Sequence, residues 1–308
     1  MCLYCQPLAP ERQLASQKQP GPNLASRAPD MHVTNTLSAM PVDHYENFPV
    51  ASILLPKRLR RPIEAIYRFA RGADDIADEG NASDAERLRA LAVYGAELER
   101  IECGEHPATH EFKELADVIH EWHLPLQLFR DLLDAFAQDV AKKRYADYAE
   151  LLDYCRRSAN PVGRLLVHLV DEASEENLHR SDCICTALQL INFWQDIAID
   201  WQKGRIYLPQ SDLAGFHIDE AQVGEHRWSN DWAALLDFQT ERARILMREG
   251  APLVHQLPGR LGWEIRLTVQ GGLRILEKVR HVRGDIFRHR PVLNRGDWLR
   301  MGIRTLFM

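Results

Sequence analysis

The chain has 308 residues, of which 45% are hydrophobic and 27% are charged, a composition typical of a globular protein. Its formal net charge of −6 argues against nucleic acid as a partner, because nucleic-acid binding needs a basic surface, but it is compatible with an anionic substrate held through divalent metal ions. We find no apolar run long enough to span a bilayer and no recognisable signal peptide.

The N-terminal part of the chain differs in composition from the rest. Residues 1–40 are rich in Pro, Gln, Ser and Ala and have no sustained apolar period, so we interpret them as a disordered or non-native extension. We expect a folded domain over residues 41–290, followed by a C-terminal amphipathic segment over residues 291–308.

Apolar residues recur at helical spacing from about residue 42 onward. Pro62 suits the first turn of a helix, and Ser83 followed by Glu86 predicts a capping box at the start of the next one. Further helices are predicted over the amphipathic stretches 109–122, 125–141, 147–158, 162–172, 182–202, 230–256 and 263–284. Because β-type alternation is nearly absent and no linker interrupts residues 42–290, we predict a single all-α domain.

A first acidic motif ends the first predicted helix. Asp74 and Asp78 are four residues apart and share a helix face, while Asp75 lies one step around it. Arg71 comes one turn earlier. Stacked like charges destabilise a helix unless a cation neutralises them, and carboxylates near a helix C-terminus oppose the helix dipole. A metal site and a solvated acidic helix end both remain open for this motif.

A second acidic motif lies within a strongly apolar stretch. Asn192, Asp196 and Asp200 repeat every four residues and form one polar stripe, whereas the residues between them are mostly Ile, Phe, Trp and Ala. A helix that is hydrophobic on all sides is buried, and unpaired carboxylates in it are costly. Mg²⁺ is the natural compensation for oxygen ligands of this type. Salt bridges to Arg or Lys from other helices are the alternative.

A basic segment, Lys203-Gly-Arg205-Ile-Tyr207-Leu-Pro209, follows the second motif directly. An arginine beside a carboxylate helix can neutralise diphosphate oxygens with a bidentate fork. In isolation, the same residues would indicate a surface turn.

The C-terminal segment combines basic and apolar residues. Arg295, Arg300 and Arg304 recur at helical spacing beside an apolar, aromatic side. This pattern is typical of a helix at a membrane interface. A helix that packs its apolar side on the protein and shows its arginines to solvent is the alternative.

The six cysteines form no paired framework, which favours a reducing, cytoplasmic compartment. Cys2 and Cys5 form a lone CxxC, and Cys183 and Cys185 lie in a predicted buried helix. Either pair would need two more ligands to hold zinc, so we interpret both as ordinary thiols.

Two Mg²⁺-binding acidic faces opposed across an apolar cavity suit the departure of diphosphate from a carbon that becomes a carbocation. The sequence has no phosphate-binding glycine loop, GxGxxG fingerprint, nucleophile elbow or HExxH motif. Di-iron bundle proteins need two Glu-x-x-His motifs, and only Glu176 with His179 fits that spacing.

The two acidic motifs and the basic segment resemble the squalene and phytoene synthase family of trans-isoprenyl diphosphate synthases, over roughly residues 43–290. Residues 71–78 match the pattern R-x-x-D-D-x-x-D, residues 189–200 match Q-x-x-N-x-x-x-D-x-x-x-D, and residues 205–209 read R-I-Y-L-P. The resemblance implies an all-α, single-domain class I isoprenoid synthase helical bundle with a central apolar cavity, with Mg²⁺ as cofactor.

Within this family, three stretches most resemble the bacterial hydroxysqualene synthases of hopanoid biosynthesis: residues 44–52, 154–163 and 192–200. This likeness implies that presqualene diphosphate and water react to give hydroxysqualene and diphosphate, without NADPH. A condensing synthase that uses farnesyl diphosphate to make presqualene diphosphate, squalene or phytoene is the alternative within the family. A non-catalytic helical scaffold is the alternative outside it.

The resemblance also implies roles for particular residues. Asp74, Asp78, Asp196 and Asp200 would be catalytic and, together with Asp75 and Asn192, would bind Mg²⁺. The substrate-binding residues would be Asn47, Arg71, Tyr154, Gln189, Arg205 and Tyr207. We expect a cytoplasmic protein. Because its product would be almost insoluble in water, we also expect peripheral contact with the inner face of the membrane. Neighbouring enzymes of the pathway are further candidate partners.

Overall fold

The computed structural model describes residues 56–308. The predicted N-terminal extension, Asn47 and the stretch 44–52 lie outside the described residues.

Helices account for most of the described chain. In order they are α1 (Lys57–Asp78), α2 (Asp84–Glu102), α3 (His110–Trp122), α4 (Leu126–Ala141), α5 (Tyr148–Ser158), α6 (Asn160–His168), α7 (Glu175–Gln202), α8 (Gln210–Gly215), α9 (Glu220–Gly224), α10 (Asn230–Gly250), α11 (Gly259–His281) and α12 (Arg295–Thr305), with a 3-10 helix (Ala251–His255) after α10. Between residues 56 and 308 the only β-type pairing is an isolated bridge between Arg144 and Ile206. The all-α prediction is therefore confirmed.

The ends of the helices follow local capping chemistry. At the start of α2, Ser83 Oγ accepts from the Glu86 N–H, and Glu86 Oε2 accepts from the Ser83 N–H at 2.8 Å, which confirms the capping box. The prediction for Pro62 was wrong, because α1 already begins at Lys57 after Pro56 and Pro62 lies inside the helix. A proline there removes one backbone hydrogen bond of α1.

Helix α7 lies at the centre of the fold. It contacts α5, α6, α9, α10 and α11, and its side chains from Cys183 to Ile197 are buried on all sides of the helix. Glycine allows one neighbour to approach closely: a Cβ on Gly272 of α11 would lie 2.7 Å from Met247 Cε and 3.1 Å from Ile191 Cδ1. The polar stripe of α7 is therefore held inside the bundle, as its apolar surroundings predicted.

Candidate active site

The first acidic motif presents two carboxylates inward and one outward. Asp74 is buried on the same side of α1 as Ala70, Ala73 and Ala77, and only 9% of the Asp78 side chain is exposed. Asp75, one step around the helix, is 42% exposed. Burial and the nearby Asp78 raise the pKa of Asp74 to about 6. Helical spacing therefore places Asp74 and Asp78 on the inner side of α1 and Asp75 on its outer side.

Arg71 is bound by carboxylates of its own helix. Its guanidinium lies 2.6 Å from Asp75, 2.8 Å from Glu79 and 3.7 Å from Asp74. Burial lowers the pKa of Arg71, but these acids outweigh it and raise the pKa above its usual value. The predicted diphosphate contact thus lies on the outer side of the first motif, next to Asp75.

The second acidic motif lies in the core. Gln189, Asn192, Asp196 and Asp200 are all buried on α7. Arg290, which follows α11, places Nε and Nη2 each 2.8 Å from Asp196 Oδ1. The salt-bridge alternative is therefore realised for Asp196.

Asp200 differs from the other acids of the site. It is only 3% exposed, and its Oδ1 atom has no hydrogen-bond partner among residues 56–308. Burial and the neighbouring Asp196 raise its pKa to about 8. Arg205 and Lys203 lower the pKa of Asp200 but do not outweigh burial, so a further cation would favour the ionised carboxylate.

The basic segment after α7 joins the two motifs. Lys203 Nζ lies 2.6 Å from Asp78 Oδ2, and Arg205 Nη1 lies 2.5 Å from Asp78 Oδ1. Although burial acts in the opposite direction, Arg205 and Lys203 hold the pKa of Asp78 well below its usual range. The backbone N–H of Arg205 also donates to the backbone carbonyl of Asp200 at 2.8 Å. Lys203 and Arg205 therefore pair with Asp78 of the first motif and lie near Asp200 of the second without pairing with its carboxylate.

A further buried carboxylate, Asp139 of α4, belongs to the same site and was not predicted from the sequence. Tyr154 and Tyr207 donate to Asp139 Oδ2 and Oδ1 at 2.5 and 3.1 Å, respectively. Its carbonyl accepts from Lys143 Nζ at 2.7 Å and from Arg205 Nη2 at 3.3 Å. Helix α4 carries two other aspartates, so only the position of Asp139 on the buried, apolar face of the helix, three residues after Phe136, could have identified it.

Aromatic rings surround the Asp139 carboxylate, and the loop that carries Lys203 and Arg205 lies beside it. The rings of Phe193 and Tyr207 stack with their centroids 3.8 Å apart, and the Tyr154 ring lies 5.9 Å from that of Tyr207. Arg144 forks onto Glu220 at 2.7 and 2.8 Å and donates to the Gly204 carbonyl at 2.6 Å. The loop that carries Lys203 and Arg205 is thereby fixed against the end of α4.

The donor set fits Mg²⁺. The buried side chains Asp74, Asp78, Asn192, Asp196 and Asp200 offer carboxylate and amide oxygens, the ligands that hard divalent cations prefer. The unpartnered Asp200 oxygen is the clearest sign that a cation fits among them. Asp75, which faces outward beside Arg71, is less suited to this role. The assignment of individual ligands stays a prediction.

Comparisons with known proteins agree with this geometry. The profile of the squalene/phytoene synthase family matches residues 42–297. A hydroxysqualene synthase of Sinorhizobium fredii is 33% identical over 237 residues, 76% of this chain and 80% of the relative. A 15-cis-phytoene synthase of Synechococcus elongatus is 28% identical over 257 residues, 80% of this chain and 83% of the relative. The crystal structure of squalene synthase HpnC from Alicyclobacillus acidocaldarius superposes with a TM-score of 0.73 at 37% identity, covering 78% of this chain and 90% of that one.

Proposed function

Because the chain belongs to the squalene/phytoene synthase family, we propose that it is a Mg²⁺-dependent hydroxysqualene synthase that converts presqualene diphosphate and water into hydroxysqualene and diphosphate. The similarity to curated hydroxysqualene synthases supports this reaction. The structural observation that carries it is the buried Asp200 carboxylate near Lys203 and Arg205, whose Oδ1 atom has no hydrogen-bond partner among the described residues.

The basic side chains bind the leaving group. Lys203 and Arg205 lie at the border between the two acidic motifs, and Lys143 lies close to Arg205. Arg205 offers a planar fork that matches two diphosphate oxygens, whereas the lysines act as point charges. When bound by the five inward oxygen donors, Mg²⁺ would supply the remaining positive charge that stabilises the leaving diphosphate.

The reaction divides into bond breaking and water capture. The carbon–oxygen bond of presqualene diphosphate breaks, and its electron pair leaves with diphosphate. After the cyclopropyl skeleton rearranges, a water oxygen bonds to the cationic carbon and loses a proton, which gives hydroxysqualene. The faces of Tyr154, Phe193 and Tyr207 can stabilise a cation and exclude other water molecules. Asp139 holds both tyrosine hydroxyls and so sets the orientation of these rings.

A condensing synthase is the second candidate, because phytoene synthases also match most of the chain. The two functions differ in substrate. We expect presqualene diphosphate, and not farnesyl diphosphate, to be turned over with Mg²⁺ and without NADPH. Squalene or phytoene formed from a prenyl diphosphate would favour the condensing function.

Substitution of Asp200 tests the proposed site directly. Asp200→Asn keeps the size of the side chain but removes the charge that a cation would compensate, so turnover should fall at least about 100-fold while the helical content is kept. Asp117→Asn, an exposed carboxylate on α3, is the matched control and should leave turnover unchanged. Near-normal turnover in Asp200→Asn would refute the proposed site.

We further propose peripheral contact with an anionic lipid bilayer through α12. No helix among residues 56–308 is long and apolar enough to cross a membrane. The inner side of α12 is partly polar: Asp297 is buried and pairs with Arg274 at 2.7 Å and with Lys278. The outer side carries apolar Leu299, which is 70% exposed, and Phe307, two residues after the helix, is 85% exposed.

This orientation runs against the alternative in which α12 packs its apolar side on the protein. Of its apolar residues only Met301 is buried, whereas Trp298, Leu299 and Ile303 are exposed. Exposed Arg295 and Arg300 on the same helix provide the charge that complements anionic headgroups. Release of a water-insoluble product at a bilayer would follow from this placement.

A further inference from the structure

A cluster of three ligand types lies at the far end of α7 from the acidic site. His179 and Cys183 are four residues apart on one face of α7, and Glu249 lies in the last turn of α10. His179 Nε2 is 3.0 Å from Glu249 Oε1 and 3.7 Å from Cys183 Sγ. All three ligand atoms lie within 4.8 Å of one another.

These separations match those around a tetrahedral zinc ion. Metal–ligand distances of about 2.0–2.3 Å place neighbouring ligand atoms of a tetrahedron about 3.3–3.8 Å apart. The two contacts of His179, at 3.0 and 3.7 Å, lie close to that range. We propose that His179, Cys183 and Glu249 bind Zn²⁺, with the fourth position open to water.

The charges around the cluster favour a cation. Glu249 has no Arg or Lys partner within the described part of the chain, and His179 is its only ion-pair partner. The other nearby acid, Asp182, is already occupied by Arg164 at 2.6 Å. A thiolate and an imidazole select zinc over Mg²⁺, so the cluster differs in metal preference from the acidic motifs. It is also remote from them, because Asp196 comes thirteen positions after Cys183 on α7, about 20 Å along the helix.

The structure therefore supplies two further ligands beside Cys183. The pair Cys183 and Cys185 does not converge on one metal, but Cys183 combines with a histidine one turn earlier and a glutamate from another helix. A bound ion would fasten the start of α7 to the end of α10. Because folded protein binds the ion and unfolded protein binds it less well, zinc should raise the unfolding temperature.

Titration with Cd²⁺ tests the proposal, since a Cd²⁺–thiolate bond has its own ultraviolet charge-transfer band. The full chain carrying Cys2→Ser and Cys5→Ser is used, so that the N-terminal CxxC does not contribute. Excess Mg²⁺ is present throughout to occupy the acidic motifs. We expect one Cd²⁺ per chain with a thiolate band, displacement of Cd²⁺ by Zn²⁺, and an unfolding temperature that rises with Zn²⁺.

Three variants in this background decide the ligand set. Cys183→Ser should abolish the band, and His179→Ala and Glu249→Gln should each weaken Cd²⁺ binding at least about 10-fold. The side chains of His179 and Glu249 are 63% and 50% exposed, so those two variants should fold whether or not Cys183→Ser does. Glu176→Gln, an exposed glutamate of α7 that pairs with Arg180, is the matched control and should bind normally. A full band in Cys183→Ser, or unchanged affinity in both His179→Ala and Glu249→Gln, would overturn the proposal.

Discussion

Arg205 Nη1 lies 2.5 Å from Asp78 Oδ1, so a cation that follows the second acidic motif neutralises a carboxylate of the first. Both side chains are nearly inaccessible to solvent. The contact joins the C-terminal ends of α1 and α7. It also places a positive charge where the proposed leaving group would bind.

Asp78→Asn should therefore destabilise the fold. The substitution leaves Arg205 buried opposite a neutral amide, and removal of one partner of a buried ion pair costs about 3–5 kcal/mol. The free energy of unfolding from urea titration should fall by an amount of this order. Asp117→Asn is the control. Because Asp117 pairs with Arg61 on the surface, this substitution should change the free energy of unfolding by less than about 1 kcal/mol. Equal stability of the two variants would show that the Asp78–Arg205 contact is not formed in solution.

Asp200 predicts an unusual pH dependence of stability. Its pKa is raised to about 8 by burial and by Asp196, whereas in the unfolded chain it is about 3.9. Between these two pH values, the folded protein binds one more proton at Asp200 than the unfolded chain does. In EDTA, the contribution of Asp200 to the free energy of unfolding should therefore fall as the pH rises from about 4 to about 8. The decrease is at most about 1.4 kcal/mol per pH unit.

The Asp200→Asn variant removes this titration. In EDTA its unfolding free energy should exceed that of the wild type at pH 8, and the difference should shrink toward pH 5. Saturating Mg²⁺ should stabilise the wild type but not the variant. Parallel stability curves across this pH range would contradict a raised pKa at Asp200.

Asp139 is expected to act through the tyrosines that it holds. In Asp139→Asn one acceptor and the negative charge are lost, so Tyr154 and Tyr207 are no longer both oriented, and kcat should fall about 10- to 100-fold with little change in KM. Tyr154→Phe should reproduce part of this loss, and the double variant should be less than additive. Asp134→Asn, an exposed acid on the same helix, is the control. Additive losses in the double variant would show that Asp139 and Tyr154 act independently.

The apolar side of α12 predicts binding to anionic vesicles. Leu299→Ser combined with Ile303→Ser removes two exposed apolar side chains, each worth about 1.5–3 kcal/mol when transferred into lipid, so binding to phosphatidylglycerol-containing vesicles should weaken at least about 10-fold. Turnover in detergent should stay normal. Val93→Ser on α2, also exposed, is the control. Unchanged vesicle binding in the double variant would place the membrane contact elsewhere or exclude it.

The sequence predicted the long helices and both acidic motifs because their signals are periodic, whereas the short helices α8 and α9 were not predicted. Apolar residues repeat at helical spacing, and acids repeat every four residues against apolar neighbours. The start of α7 was predicted at residue 182 rather than at Glu175, because its first turns are polar and are defined by the Ser174 cap instead of by an apolar pattern. Single residues that act through tertiary contacts, such as Asp139 and Arg290, have no periodic signal.

The role of water distinguishes the proposed reaction from condensation most directly. Incubation of the enzyme with presqualene diphosphate and Mg²⁺ in H₂¹⁸O, followed by mass spectrometry of the extracted product and assay of released diphosphate, measures both parts of the reaction. We predict hydroxysqualene that carries one ¹⁸O atom and is formed in equal amount to diphosphate, only when Mg²⁺ is present. No turnover of presqualene diphosphate, an alcohol without ¹⁸O, or squalene as the product would contradict the proposed function.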